Sequence, residues 1–326
     1  MLKYFYCFAF VLFAASSCKM TYGGNAFNEL AMPSASNGYK WVENDSTFAL
    51  VRNDRVIWQY NFNTKFNKPF FHPVRVNDNT ITGLSPNDHI WHLGQWFSWK
   101  YINRANYWEY VRGSYSSEGV TNIRSVVTRK KPDHSAVILL EIEYHPQNQE
   151  AVLKEKREIH IAPPQQDGSI MMDYHFTFSP LTEKVIIDRT PIDGEPNGRT
   201  WGGYGGLSIR FNLDLKNTVV ISDVSEGDNM HGITGDWLYM GFTGTDGKRV
   251  GSLIMIDKET KGAGEAWYVT NNPNIPFYFI NPAYVFLKPK TLHKGETLNM
   301  KYRVLHLEGT ATKEELTKKY KKYKNP

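Results

Sequence analysis

The chain has 326 residues, a formal net charge of +5 and 41% hydrophobic residues. That length suffices for one large core or two modest ones, and so mild a positive balance is no nucleic-acid signature. Two cysteines exclude a disulfide framework as the source of stability.

Met1-Leu2-Lys3, an apolar run from Tyr4 to Ala15 and small residues after it read as a secretory signal over residues 1–17. The run is too short to span a bilayer as a finished helix. Ala15-Ser16-Ser17 before Cys18 makes a loose lipobox, so Cys18 is expected to carry a lipid, the protein's only membrane attachment. Cys7 leaves with the signal, and no intrachain disulfide is then possible. Residues 18–36, rich in Gly, Ser, Asn and Ala, read as a tether. Residues 37–326 contain no linker long enough to divide them and are expected to form one domain.

Asn53-Asp54 between Phe48–Val51 and Val56–Tyr60 predicts a hairpin. Lys68 to Glu109 is the densest stretch, holding four of the nine tryptophans and three of the ten histidines. Aromatic faces stack well on sugar rings, which makes Trp96 and Trp99 candidate platforms. Imidazole transfers protons near neutral pH or ligates metal. His72, His89 and His92 are therefore candidate catalytic groups, with Asp88 beside them and Glu109 as a further acid or base. His89 and His92 share a face on a helix, oppose each other on a strand, and converge on a loop. Asp88 with this pair leaves a divalent metal open, but a third and fourth ligand are missing from the pattern, so no cofactor is required.

Farther on, Ile138, Leu140, Ile142 and Tyr144 alternate with Val137, Leu139, Glu141 and Glu143; Ile170 to Phe178 and Leu298 to Val304 repeat the pattern. Period-2 alternation puts one face on a core. Between these runs lies Trp201-Gly202-Gly203-Tyr204-Gly205-Gly206-Leu207-Ser208-Ile209-Arg210. It is no phosphate loop, lacking the lysine and the following helix. Glycines around Trp201 and Tyr204 allow a ligand to come close. Tyr204 is a proton donor or acceptor if its pKa is lowered, and Arg210 a bidentate clamp for a carboxylate. At the C-terminus Thr312 and Glu315 stand at capping-box spacing before the single helical run. Many short strands and one helix give an all-β class, a large antiparallel sandwich or barrel.

Phe70-Phe71-His72-Pro73, Asp88-His89-x-Trp91-His92-x-Gly94-x-Trp96-Phe97-Ser98-Trp99-Lys100, Asn106-Tyr107-Trp108-Glu109 and Tyr204-x-Gly206-Leu207-Ser208-x-Arg210 resemble the bacterial PmoA-like family. The resemblance extends to Tyr302-Arg303-Val304 and so covers most of residues 38–310. Leu93 departs from it, standing where relatives often carry another histidine. The resemblance implies an exported, mutarotase-like super-sandwich from polysaccharide-degrading Bacteroidetes. It also implies dehydration of oligosaccharides ending in a uronic acid, as in breakdown of ulvan-like algal polymers. On that reading the partner is an anionic oligosaccharide. Arg210 neutralises its carboxylate, His89 or His92 takes a proton, and Tyr204 donates to the leaving oxygen. Role swaps with His72 stay open, and Asp88, Trp96, Trp99, Glu109 and Trp201 bind the sugar. A glycoside hydrolase using Asp88, Glu109 or Asp236, and a sugar-binding module without catalysis, are the alternatives. Lys19-Met20 lacks the acidic run associated with surface export in that phylum, so a periplasm-facing outer-membrane anchor is expected.

Overall fold

The computed structural model describes residues 38–260 and 265–325. The signal, Cys18 and the tether lie outside the described residues.

Alternation along each strand sorts residues into an inner and an outer face. One sheet runs, edge to edge, Tyr39–Asn44, Thr47–Arg52, Arg55–Asn61, Phe70–Val76, Gln95–Ser98, Gly206–Arg210, Phe277–Ala283, Ala266–Asn272, with Asn79–Thr80 paired beside Phe70–Val76. The second runs Lys216–Ser222, Trp237–Thr243, Arg249–Ile256, Leu298–Glu308, Ile170–Pro180, Leu153–Ile161, Ala136–Pro146, Gly119–Lys130. Their neighbouring strands pair antiparallel. A smaller sheet of Lys290–His293, Lys184–Asp188, Tyr101–Ile102 and Ala105–Asn106 closes one end.

The three alternating runs behave as their patterns require. Ile138, Leu140, Ile142 and Tyr144 are buried, as are Met172, Phe176, Phe178, Met300, Tyr302 and Val304. Their rings and methyls face inward residues of the first sheet: Phe97 meets Phe176 at 4.4 Å and Phe178 at 5.4 Å between ring centroids. This is the core of a large antiparallel β-sandwich. The hairpin turn at Asn53 and Asp54 has positive φ at both residues, which matches the twist of the strands it joins. The helix Lys313–Lys324 starts on the expected capping box, Thr312 accepting from the Glu315 N–H and Glu315 accepting from the Thr312 N–H. It packs Leu316 and Tyr320 against the back of the second sheet.

The central strands of the first sheet bury both faces. Phe71, Phe97, Leu207, Ile209 and Ile280 point into the sandwich. Their strand neighbours Phe70, Trp96, Phe279 and Tyr268 point the other way and form a second apolar cluster, roofed by loops that carry Leu93, Trp108, Tyr204 and Phe286. The candidate site sits on this outer cluster.

Phe176, fully buried between the sheets, generates the stability prediction. Phe176→Ala removes the ring that meets Phe97 and is expected to cost about 3–5 kcal/mol. Urea unfolding should show a lower midpoint with an unchanged slope.

Candidate active site

Two loops far apart in sequence are brought to one place by pairing of short strands. Gln95–Ser98 pairs with Gly206–Arg210, setting Trp96 opposite Ser208 and Ser98 opposite Gly206. The histidine loop enters at Gln95, opposite Ile209, and the tryptophan–glycine loop enters at Gly206, opposite Ser98, so the loops leave opposite ends of a short antiparallel pair and meet over the outer face between them.

In the histidine loop, the His89 N–H donates to the Pro86 carbonyl and the His92 N–H to the His89 carbonyl, each at 2.9 Å. This turn converges the two imidazoles, which stack at 4.7 Å between centroids. Gly94 ends the loop with φ of 72°, and a Cβ there would lie 2.4 Å from the Phe71 carbonyl oxygen. Only glycine fits. Asn106 builds the facing wall by accepting from the N–H groups of Trp108 and Glu109. The tryptophan–glycine loop is anchored by Arg189, which donates to Glu195 at 2.6 Å and to the Phe286 carbonyl at 3.0 Å. Asn281 holds the far side, accepting from the Gly205 N–H at 3.1 Å and donating to the Leu207 carbonyl at 2.7 Å. Gly203, with φ of 99°, lies so close to the Phe286 ring that a Cβ would meet it at 2.7 Å.

The loops enclose a half-open cleft of about 610 Å³. His89 and His92 line it, as do Glu109, Trp201 and Tyr204, so five of the expected site residues from two distant segments share one cavity, joined by Trp108. The aromatic rings form a continuous path: His92 to Trp108 at 6.2 Å and Trp108 to Tyr204 at 5.1 Å. Trp91, Tyr268, Phe277 and Phe279 complete the walls, with Thr270 and Asn272 at the rim. Trp201 is 52% exposed and offers a free indole face.

Two polar groupings flank this aromatic cleft. On one side Asp88 accepts from His89 Nδ1 at 2.9 Å and from Arg210 Nη2 at 3.2 Å. Burial works against the Asp88 charge, but these two partners hold its carboxyl below the usual carboxylate range. Burial, helped by the charges of His89, Arg210 and Lys68, keeps His92 neutral, far below the ordinary imidazole value. On the other side the Tyr204 hydroxyl donates to Glu109 Oε1 at 2.5 Å while the Lys100 ammonium donates to Oε2. Burial would raise the Glu109 carboxyl, yet the Lys100 charge and these bonds hold it below its usual range.

Several expected roles are corrected by this geometry. Trp96 and Trp99 are 2% and 0% exposed and are not platforms. Pleat parity sends Trp96 into the outer cluster beneath His92, and Trp99 into the sandwich core against Phe97 and Phe178. Arg210 lies under the floor with its guanidinium 3.6 Å from the Phe277 ring centroid, paired to Asp88, so it does not reach into the cleft as a clamp. Asp88 is occupied by the same pair and does not line the cavity. Tyr204 has its pKa raised, by burial and then by the adjacent Glu109 charge, so it stands as a protonated donor. His72 is outside the lining; its Nδ1 bonds Thr82 Oγ1 at 3.0 Å, and burial lowers its pKa to about 4. Among the described residues no group of three or more His, Cys, Asp or Glu side chains is placed to hold a metal ion.

Three residues around the site, Lys68, Tyr268 and Phe277, carry no mark in the sequence. Lys68 is 1% exposed, its Nζ lies 4.1 Å from the Tyr110 ring centroid, and it has no hydrogen-bond partner among the described residues. Burial lowers its pKa to about 7, opposed by the Glu109 charge. Nothing in the pattern Lys68-Pro69-Phe70 marks a buried amine. Tyr268 and Phe277 were missed because ordinary alternation conceals which face of a strand becomes a site.

The profile of a family of unknown function, DUF6807, matches residues 47–321. The chain belongs to that family. No curated protein matches. Among solved structures, a Klebsiella pneumoniae protein described as a candidate aldose 1-epimerase is 10% identical, with 89% of this chain and 86% of that chain covered and a TM-score of 0.41. A galactose mutarotase related enzyme from Lactobacillus acidophilus is 7% identical, with 84% and 98% covered and a TM-score of 0.34. At that distance the pairing of the strands in this chain, not the neighbours, defines its sandwich.

Lys68 gives a pH prediction with a definite sign. Between pH 7 and 10.5 the unfolded amine binds a proton that the folded one has lost, so this group makes stability rise with pH across that window. Below pH 7 both states are protonated and the burial penalty is constant. Lys68→Met is expected to be the more stable protein below pH 7, its advantage shrinking as pH rises toward 10.5. Urea midpoints of both proteins across that range check it; parallel curves would refute a depressed Lys68.

Proposed function

We propose that this protein is a carbohydrate-active enzyme working by general acid–base catalysis. We propose further that it removes water from oligosaccharides ending in a uronic acid. The observation that carries the reading is the meeting of the Asp88–His89 pair and the Glu109–Tyr204 pair across one tryptophan-walled cleft. Rings such as Trp201 and Trp108 suit the apolar face of a pyranose.

The chemistry follows from which groups are free to move a proton. His89 faces the cleft with Asp88 behind it bonding Nδ1, an arrangement that orients the imidazole. His89 takes the proton at C5, next to the substrate carboxylate. The bonding pair forms the C4–C5 double bond, and the C4–oxygen bond breaks. Tyr204 delivers its proton to the departing hydroxyl, which leaves as water. A phenol this hard to ionise yields its proton only to a strong base, which a departing hydroxide is. Lys100 lies 5.4 Å from the Tyr204 ring centroid and offsets the negative charge left behind.

The alternatives fare worse on the same geometry. A glycoside hydrolase needs one carboxyl kept protonated as its acid, whereas Asp88 and Glu109 are both pulled toward ionisation. A module that only stacks sugars has no use for an imidazole and a phenol each held by a paired carboxylate at its aromatic walls.

With a uronate-ended oligosaccharide, product should lose one water by mass spectrometry and gain the ultraviolet absorbance of a conjugated enoate. His89→Ala and Tyr204→Phe are each expected to lower kcat about 10²–10⁴-fold. Unchanged mass across a panel of uronate-ended substrates would sink the dehydration. Trp201→Ala is expected to raise KM with little change in kcat, since its exposed ring binds substrate and moves no proton; a loss confined to kcat would contradict that role.

A further inference from the structure

A second groove, of about 720 Å³, shares no lining residue with the cleft. It lies where the first hairpins of the nine-stranded sheet meet the turn at Asn77 and Asp78 and the loop 162–169. Four cations line it. Arg55 pairs with Asp78, and Lys248 with Glu308. Arg52 and Arg75 have no carboxylate partner among the described residues. The Arg52 guanidinium lies 5.1 Å from the Tyr39 ring centroid, and Arg75 donates one N–H to the Val56 carbonyl at 2.9 Å. The third carboxylate of the groove, Asp167, turns to its own loop and accepts from the Ser169 N–H.

Arg75 is half-buried, and the charge of Arg55 adds to its burial in disfavouring a second cation there. An anion seated between these side chains relieves that repulsion, and a guanidinium fork fits a carboxylate or sulfate in two-point fashion. The groove is far larger than an inorganic anion. Pro163 and Pro164 and the Tyr39 ring give it apolar faces, while Gln165 and Gln166 bring amides suited to hydroxyls. Arginine forks beside stacking faces and amides match an acidic sugar chain.

We infer that this groove is a second saccharide site, which holds an acidic stretch of oligosaccharide apart from the cleft. Arg52 and Arg75 bind its carboxylates or sulfates. The inference rests on the lining of the groove and stands whatever reaction the cleft performs.

Calorimetric titration tests it, with tetragalacturonate, a sulfated carrageenan tetrasaccharide and neutral cellotetraose as ligands. His89→Ala serves as the background that prevents turnover. At least one acidic tetrasaccharide should fill a site that survives Trp201→Ala and weakens at least tenfold in Arg52→Glu. Arg75→Lys, which keeps the charge but loses the fork, should weaken it several-fold, and turnover in the cleft of Arg52→Glu alone should be unchanged. Acidic ligand binding only at the groove supports this inference while counting against the cleft reading. An isotherm unaffected by Arg52→Glu, or cellotetraose filling the groove equally well, would overturn it.

Discussion

Glu109 is largely withdrawn from water yet ionised, because Lys100 and the Tyr204 hydroxyl bond its two oxygens. Removing Lys100 would strand a buried charge, a loss of about 3–5 kcal/mol in comparable settings. Tyr204 and Glu109 are 95 residues apart in the chain, so this shared carboxylate locks the tryptophan–glycine loop onto the wall that follows the histidine loop. The cleft exists in the space those loops leave.

The lock works only because the sheet beneath it is apolar on both sides. Phe70, Trp96, Phe279 and Tyr268 give the roofing loops something to bury against, and burial is what gives the polar groups above them their character. Low dielectric strengthens each remaining contact and penalises each unpaired charge. His92 is driven neutral, Tyr204 stays protonated, and Lys68 is brought close to neutral pH. The same burial that stabilises the outer cluster thus sets the protonation of the groups packed into it.

Asp88 plays a parallel part on the opposite wall. It neutralises Arg210 under the floor and orients His89 at the surface. Arg210 is best understood as the counter-charge that keeps Asp88 ionised, and through Asp88 it acts on His89. A guanidinium stacked on Phe277 and paired to a carboxylate is costly to expose, which suits a fixed support better than a mobile clamp.

The sequence by itself determined the strands, the turn and the cap, because each depends on neighbours within a few residues. The alternating runs around 140, 174 and 302, the Asn53-Asp54 turn and the Thr312 capping box are local facts of pleat, φ and hydrogen bonding. It also pointed to the histidine and tryptophan–glycine stretches as partners. What only the tertiary structure decided was direction. A tryptophan reads the same whether it faces a core or a ligand, and the pleat turned Trp96 and Trp99 inward while a loop left Trp201 in the open. Charge partners were equally hidden: no local pattern pairs Arg210 with Asp88 or leaves Lys68 without a hydrogen-bond partner among the described residues. Those outcomes depend on strand register across more than a hundred residues, and register is a property of the assembled sheet.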